Sequence, residues 1–177
     1  MNYANAGIKR FPAFLIDATI LYIVQASLNY IVTNVSVNIF KPAVDEDSSN
    51  IIAYAGISLA IYILIDWLYF AIYESSAKQA TIGKKALGIV VTDIDGEKLS
   101  FLKASIRYLA KNLWVLVGLI GLIMSLFIEK ESSRDILFTG IFIVGAMIVF
   151  IDYIFAFFTE KKQALHDMIA GTLVLQK

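Results

Sequence analysis

The stretch "RFPAFLIDATILYIV" at residues 10–24 decides the fold class, because it is a long apolar run with one aspartate, Asp17, near its middle. A run of this kind predicts a membrane-crossing helix, and Pro12 fits the first turn of such a helix. A carboxylate inside the hydrocarbon costs about 2.5–3.5 kcal/mol on insertion scales. The rest of the sequence must therefore explain why Asp17 is there.

The composition agrees with a membrane protein. The chain has 177 residues, of which 59% are hydrophobic, and a mean hydropathy of +0.73. Soluble domains are seldom this apolar. Four apolar runs are long enough to cross a bilayer, at residues 11–33, 51–73, 112–128 and 136–158. The sequence therefore predicts an all-α polytopic membrane protein with four transmembrane helices.

The same composition argues against several functional classes. There is no cysteine and only one histidine, so disulfides, thiol chemistry and a transition-metal site are not expected. No nucleophile motif and no phosphate-binding loop is present. We expect no enzymatic activity, no metal, no cofactor and no nucleic-acid partner.

The basic residues are distributed unevenly between the two sides of the predicted membrane. Of the 15 Lys and Arg residues, all but Lys41, Lys130 and Arg134 lie in the N-terminal segment, between the second and third runs, or after the fourth run. Cytoplasmic loops carry the excess of positive charge. Both termini and the middle segment are therefore predicted to be cytoplasmic.

The middle segment, "IGKKALGIVVTDIDGEKLSF" at residues 82–101, contains Asp95-Gly96 between two β-rich runs, which predicts a hairpin. After it, Ser100 is suited to cap a helix in which basic residues recur every four positions opposite apolar ones. That pattern is typical of a helix lying on an anionic membrane face. The predicted lipid-facing basic residues are Lys84, Lys85, Lys103 and Lys111.

Two further runs carry an intramembrane acid, Asp66 in the second and Asp152 in the fourth. With a rise of 1.5 Å per residue, all three acids lie roughly 9–10 Å from the cytoplasmic end of their helices. If the helices pack together, the carboxylates can share a cation-binding or proton-relay site. The alternative is structural pairing with cations that lock the helices together, for which Arg10 and Arg107 are the natural candidates.

The sequence also resembles itself. "IDWLYFAIYE" (65–74) parallels "IDYIFAFFTE" (151–160), and "KQATIGKKALGIVV" (78–91) parallels "KQALHDMIAGTLVL" (162–175). These matches predict two halves, at about 8–91 and 105–177, related by a parallel two-fold axis along the membrane normal.

Three segments, "KRFPAFLIDATIL", "TIGKKALGIVVTDIDGEKLSFLKASIRYL" and "QALHDMIAGTLVL", resemble the RDD family of bacterial integral membrane proteins. The resemblance covers most of the chain and implies one domain over residues 1–177 in the bacterial cytoplasmic (inner) membrane. It assigns the arginine of the family name to Arg10 and the first aspartate to Asp17. The second is Asp167, which follows His166, with Asp66 as the alternative.

Two functions fit these observations. Some members of the family have been linked to sodium or proton antiport, and a cation/proton exchanger would use Asp17, Asp66 and Asp152 as ion-binding groups. Its charge partners would be Arg10, Arg107, Asp167 and His166. The chain is short for alternating access, so we expect a homo-oligomer. The alternative is a non-transporting scaffold or accessory subunit that binds membrane lipids or a partner protein.

Overall fold

The structure is a computed structural model that describes residues 3–40, 48–125 and 127–177. Lys41 and the acidic residues 45–47 of the predicted outer loop lie outside the described residues. The chain is 73% helix, as the sequence predicted. In chain order the elements are α1 (Tyr3–Phe40), α2 (Ser48–Ser75), α3 (Ile82–Ala86), β1 (Ile89–Asp93), α4 (Phe101–Lys111), α5 (Leu113–Ser125), α6 (Glu131–Phe158), α7 (Leu165–Ala170) and β2 (Thr172–Gln176).

Three segments in these ranges are long and apolar enough to cross a membrane: Ala6–Ile31, Ser58–Ser75 and Ser132–Phe158. The predicted third span is different. Its helix, α5, has only 13 residues, and it reaches spanning length only together with α4, from which it is bent by 52°. The described chain therefore has three candidate spans, or four if α4 and α5 form one broken span.

The first helix begins earlier than the apolar run. Because α1 starts at Tyr3, Pro12 lies inside the helix and not in its first turn, so that part of the prediction was wrong. Proline has no N–H to donate to the carbonyl of Ile8, four residues earlier. Membrane helices tolerate such a loss where neighbouring groups satisfy the freed carbonyl.

A two-stranded antiparallel sheet closes one end of the helical bundle. β1 pairs with β2, the C-terminal strand, with Val91 opposite Val174. The predicted hairpin is not confirmed. The chain turns at Gly96, which has a φ of 87°, with one bridge between Thr92 and Lys98, but the partner strand of β1 is β2. We call the region of β1, β2, α3 and α7 the sheet end. Its apolar core contains Ile89, Val91 and Val174 from the strands, packed with Ala6, Ala13, Ala71, Leu99 and Ala104.

The two faces of α4 have different surroundings. Its buried residues are Ala104, Ser105, Arg107 and Tyr108, and the helix packs on α2 and α7. The large apolar side chains Phe101, Leu102, Ile106 and Leu109 are exposed instead. Arg107 thus faces the protein, where it has carboxylate partners, while Lys103 stays partly exposed and the apolar stripe faces outward. That α4 lies on a membrane surface stays a prediction.

The two "KQA" blocks occupy similar places in the chain. The first leads into α3 and β1, and the second leads into α7 and β2. The two-fold relation of whole halves stays a prediction.

Candidate functional site

Five buried charged side chains from five helices form what we call the ion-pair network. Its members are Arg10 of α1, Glu74 of α2, Lys84 of α3, Arg107 of α4 and Asp167 of α7. Arg107 is central. Its Nη1 donates to both carboxylate oxygens of Glu74 at 2.7 Å, and its Nε and Nη2 donate to Oδ1 of Asp167 at 2.9 and 2.7 Å.

The outer members extend this chain of contacts. Arg10 donates from Nη1 to Oδ2 of Asp167, and Lys84 donates from Nζ to Oε1 of Glu74. The order is Arg10–Asp167–Arg107–Glu74–Lys84, so the charges alternate along the whole network. Buried ions need such pairing, because each loses its hydration on folding.

Local helix chemistry places Asp167. It is the third residue of α7, and its Oδ2 accepts the backbone N–H of Ala164, the residue before the helix, at 3.0 Å. Gly171 then ends the helix in the left-handed conformation, with a φ of 61°. The short helix is therefore held at both ends, and Asp167 has one oxygen that both caps the helix and meets Arg10.

Asp17 holds α3 against α1 without any cation, in a group of contacts that we call the Asp17 cap. Its Oδ1 accepts the Gly83 N–H at 2.7 Å and the Tyr69 hydroxyl at 2.6 Å, and its Oδ2 accepts the Thr81 hydroxyl at 2.6 Å. Thr81 is itself the N-cap of α3. The cost of placing this carboxylate in the first span is offset by three donors, which answers the question that the sequence raised.

Asp152 pairs with the lone histidine. Its Oδ1 accepts the backbone N–H of His166 at 2.8 Å, and its Oδ2 lies 2.6 Å from His166 Nδ1. His166 Nε2 lies 3.2 Å from Nη2 of Arg107 and 3.3 Å from Oδ1 of Asp167. A neutral His166 with its proton on Nδ1 accepts at Nε2 from Arg107, whereas a protonated His166 has no acceptor left and donates from Nε2 toward Asp167. His166 thus connects α6 to the ion-pair network.

Asp66 has a third, separate environment. Its Oδ1 accepts from Nε2 of Gln25 at 2.8 Å, and no member of the ion-pair network is bonded to it among the residues that the structure describes. Asp17, Asp66 and Asp152 each bond to different partners, and a common ion-binding site stays a prediction. Over the same ranges, no three His, Asp or Glu side chains form a cluster suited to a metal ion.

The predicted lipid-facing lysines fall into two groups. Lys84 is buried in the ion-pair network, and the Nζ of Lys111 lies over the rings of Phe14 and Phe70. Lys85 is exposed. Lys103 is partly exposed, with its Nζ 3.7 Å from Oδ2 of Asp93.

Sequence reasoning missed Glu74 and Thr81 as site residues, and it did not place Gly83 beside Asp17. Glu74 ends the first of the two repeated blocks, and its counterpart Glu160 is exposed, so the repeat alone could not separate them. The sequence did hold a signal. Glu74 is an acid directly at the end of an apolar run, and a basic residue, Lys84, follows ten positions later. For Thr81 and Gly83 the signal was the "TIG" sequence, a threonine N-cap before a glycine that allows close approach.

The network shifts the titration of its members outside the membrane-spanning segments. Burial alone would raise the pKa of Asp167, but His166, Arg107 and Arg10 outweigh it and hold that pKa well below its usual value. Burial lowers the pKa of Lys84 to about 8, although Glu74 works in the opposite direction.

We expect acid to weaken the protein through Asp167. Because its folded-state pKa lies below the usual 3.8, the unfolded chain binds the proton first, and the contribution to stability is present above about pH 5 and is lost as the pH falls. Thermal unfolding in detergent micelles between pH 6 and pH 3 checks this. The difference in Tm between wild type and Asp167→Asn should be largest at pH 6 and shrink steadily toward pH 3. A constant difference would contradict it.

Comparison with known proteins places the chain in a family. The profile of the RDD family matches residues 4–171, so this chain belongs to the RDD family of membrane proteins. A relative is the uncharacterized protein YxaI of Bacillus subtilis (strain 168), which is 31% identical over 135 residues, covering 72% of this chain and 89% of YxaI. No solved structure gives a significant match. Of the two candidates for the second aspartate, Asp167 rather than Asp66 contacts Arg10.

Proposed function

We propose that this protein is a non-transporting scaffold or accessory subunit of the bacterial inner membrane, with both termini in the cytoplasm. The observation that supports this most is the ion-pair network, in which buried charges of five helices are committed to one another. Such a network fixes the sheet end to the membrane helices. The proposal includes no enzymatic activity, and it keeps the expected homo-oligomer.

The bonding of the acids argues in the same direction. A carboxylate that carries ions must exchange its partners during every cycle. At Asp17 that exchange would break three hydrogen bonds and release α3. At Asp152 it would break both contacts with His166. These two acids are better suited to joining helices than to carrying ions.

A basic groove at the sheet end gives the scaffold a surface for lipids. It has a volume of about 150 Å³ and is lined by Lys78, Lys85 and Lys177 beside β1. Juxtamembrane lysines attract anionic headgroups by about 1 kcal/mol each. With the termini in the cytoplasm, this groove would face the anionic inner leaflet.

A second candidate function is cation or proton exchange, and Asp66 is the observation that favours it. Asp66 is only partly buried and has one neutral partner, Gln25, which is an amide that could offer a cation its own oxygen after a rotation. Of the three intramembrane aspartates, this one could change partners without dismantling the sheet end.

Flux and stability measurements together separate the two functions. We expect liposomes containing the purified protein to show no change in internal pH when Na⁺, Li⁺ or K⁺ is added outside. Asp17→Asn should lower the detergent Tm, because the amide presents an N–H₂ group to donors in the Asp17 cap. Asp66→Asn should change Tm by less than Asp17→Asn.

The matched control is Asp135→Asn, which removes an exposed carboxylate from α6 and should change neither quantity. A cation-dependent pH change in wild-type liposomes that Asp66→Asn abolishes, with Tm retained, would overturn the scaffold proposal and establish the exchanger.

A further inference from the structure

A small cavity lies between the ion-pair network and the Asp17 cap. Its volume of about 20 Å³ has room for about one water-sized particle. Five of the side chains that line it are basic: Arg10, Lys84, Arg107, Lys111 and His166. The acid that lines it is Asp17.

Arg10 brings unused donors to this cavity. The residue is only 7% exposed, and its Nη1 is bonded to Asp167, but its Nε and Nη2 are buried and have no hydrogen-bond partner among the residues that the structure describes. Buried polar groups are nearly always paired, and an N–H donor left unsatisfied on a charged group is a costly exception. The Nε and Nη2 groups of Arg10 therefore need a hydrogen-bond acceptor that the described side chains do not provide.

Lys111 brings a second cation. Its Nζ lies 4.9 Å and 4.7 Å from the ring centroids of Phe14 and Phe70, which also line the cavity. Ring faces attract an ammonium group but leave its three N–H donors without a true acceptor. Within residues 3–40, 48–125 and 127–177, Lys111 forms no ion pair with a carboxylate.

The nearby carboxylates are already engaged. Asp17 accepts three hydrogen bonds, Glu74 is paired with Lys84 and Arg107, and Asp152 is bonded twice to His166. These three acids act on Lys111 through space, and so does Asp66, which accepts a hydrogen bond from Gln25. Arg10 and Lys111 thus have N–H donors without acceptors at the cavity, while Asp17, Glu74 and Asp152 already accept from other groups.

We propose that this cavity binds one small monovalent anion, of which chloride is the example, between Arg10 and Lys111. A water molecule would supply acceptors but no charge. Among the side chains that line the cavity, five are basic and Asp17 is the acid, so an anion suits this lining better than a neutral water. The bound anion would join α1 to the end of α4, and this inference does not depend on whether the protein transports ions.

The test uses the full-length protein in detergent, prepared in sodium gluconate. Sodium chloride or bromide then replaces gluconate at constant ionic strength while Tm is measured. Binding to the folded state alone should raise Tm along a saturable curve, by on the order of 5 °C at a hundredfold excess over Kd. Lys111→Met should abolish the rise. Lys103→Gln, a partly exposed lysine on the same helix, should retain it.

A second measurement covers the case in which Lys111→Met fails to fold. Wild-type crystals grown in bromide should show an anomalous peak in the cavity beside Arg10 Nε and Nη2. A Tm that does not respond to chloride at constant ionic strength, or responds equally in Lys111→Met, would overturn the proposal. So would bromide crystals with water in the cavity.

Discussion

Replacing Asp167 by asparagine should lower the free energy of unfolding by about 3–5 kcal/mol, the usual cost of removing one partner from a buried ion pair. The side chain is fully buried, and its two oxygens contact Arg10, Arg107 and the N–H of Ala164. Asparagine removes the charge and turns an N–H₂ group toward donors. For a chain of this size the Tm should fall on the order of 10 °C.

The control for this prediction is Glu160→Gln, which removes an exposed carboxylate shortly after α6 and should change stability by less than about 0.5 kcal/mol. A cycle with Arg10→Met adds a sharper test. Because both changes affect one buried contact, the double variant should lose less than the sum of the two single losses. Equal stability of Asp167→Asn and Glu160→Gln would show that the network does not hold the helices together.

The second large effect is expected from Gly83→Ala. A Cβ on Gly83 would lie 2.2 Å from the carbonyl oxygen of Ala13 and 2.9 Å from the Asp17 carboxyl group. The first contact is with backbone and cannot be relieved by a side-chain rotation. α3 must move away from α1, and the Gly83 N–H then leaves Asp17. Overpacking and the weakened cap together should cost about 2–4 kcal/mol, read as a fall in detergent Tm.

Gly118→Ala and Gly140→Ala are matched controls, because a Cβ at either position meets nothing within 4 Å. Both glycines lie inside helices, where alanine is favoured by roughly 0.5–1 kcal/mol, so these variants should be as stable as wild type or slightly more stable. If Gly83→Ala matched them, the close approach of α1 and α3 would not be needed for folding. Combining Gly83→Ala with Asp17→Asn should add little, since both weaken the Asp17 cap.

The membrane-spanning segments of the chain were predictable from the amino-acid sequence. Runs of apolar side chains reveal spans because lipid leaves the backbone few options other than a helix. Asp17, Asp152 and Arg10 were also recognisable as important, since charge within or beside a span must have a partner. What could not be predicted was the partner. Gly83, Thr81 and Tyr69 are neutral donors that carry no sign of charge pairing in the sequence.

The basic stripe of α4 shows a second limit. Spacing of four places Lys103, Arg107 and Lys111 on one face, and that much was correct. Periodicity cannot tell whether such a face meets headgroups or buried acids, because both environments attract cations. In the fold, Arg107 binds Glu74 and Asp167, so the middle of this face meets buried acids. These two acids are 93 positions apart in the chain.

The amino-acid order alone established the family, the apolar spans and the set of charges that must be neutralised, because these depend on composition and on short-range periodicity. Folding in three dimensions decided which charges meet. It paired β1 with the distant β2, buried Arg107 of α4 against acids, and gave Asp66, Asp17 and Asp152 different hydrogen-bond partners. Those outcomes rest on contacts between residues far apart in the chain, where hydrogen-bond geometry and the cost of burying an ion select one arrangement among many.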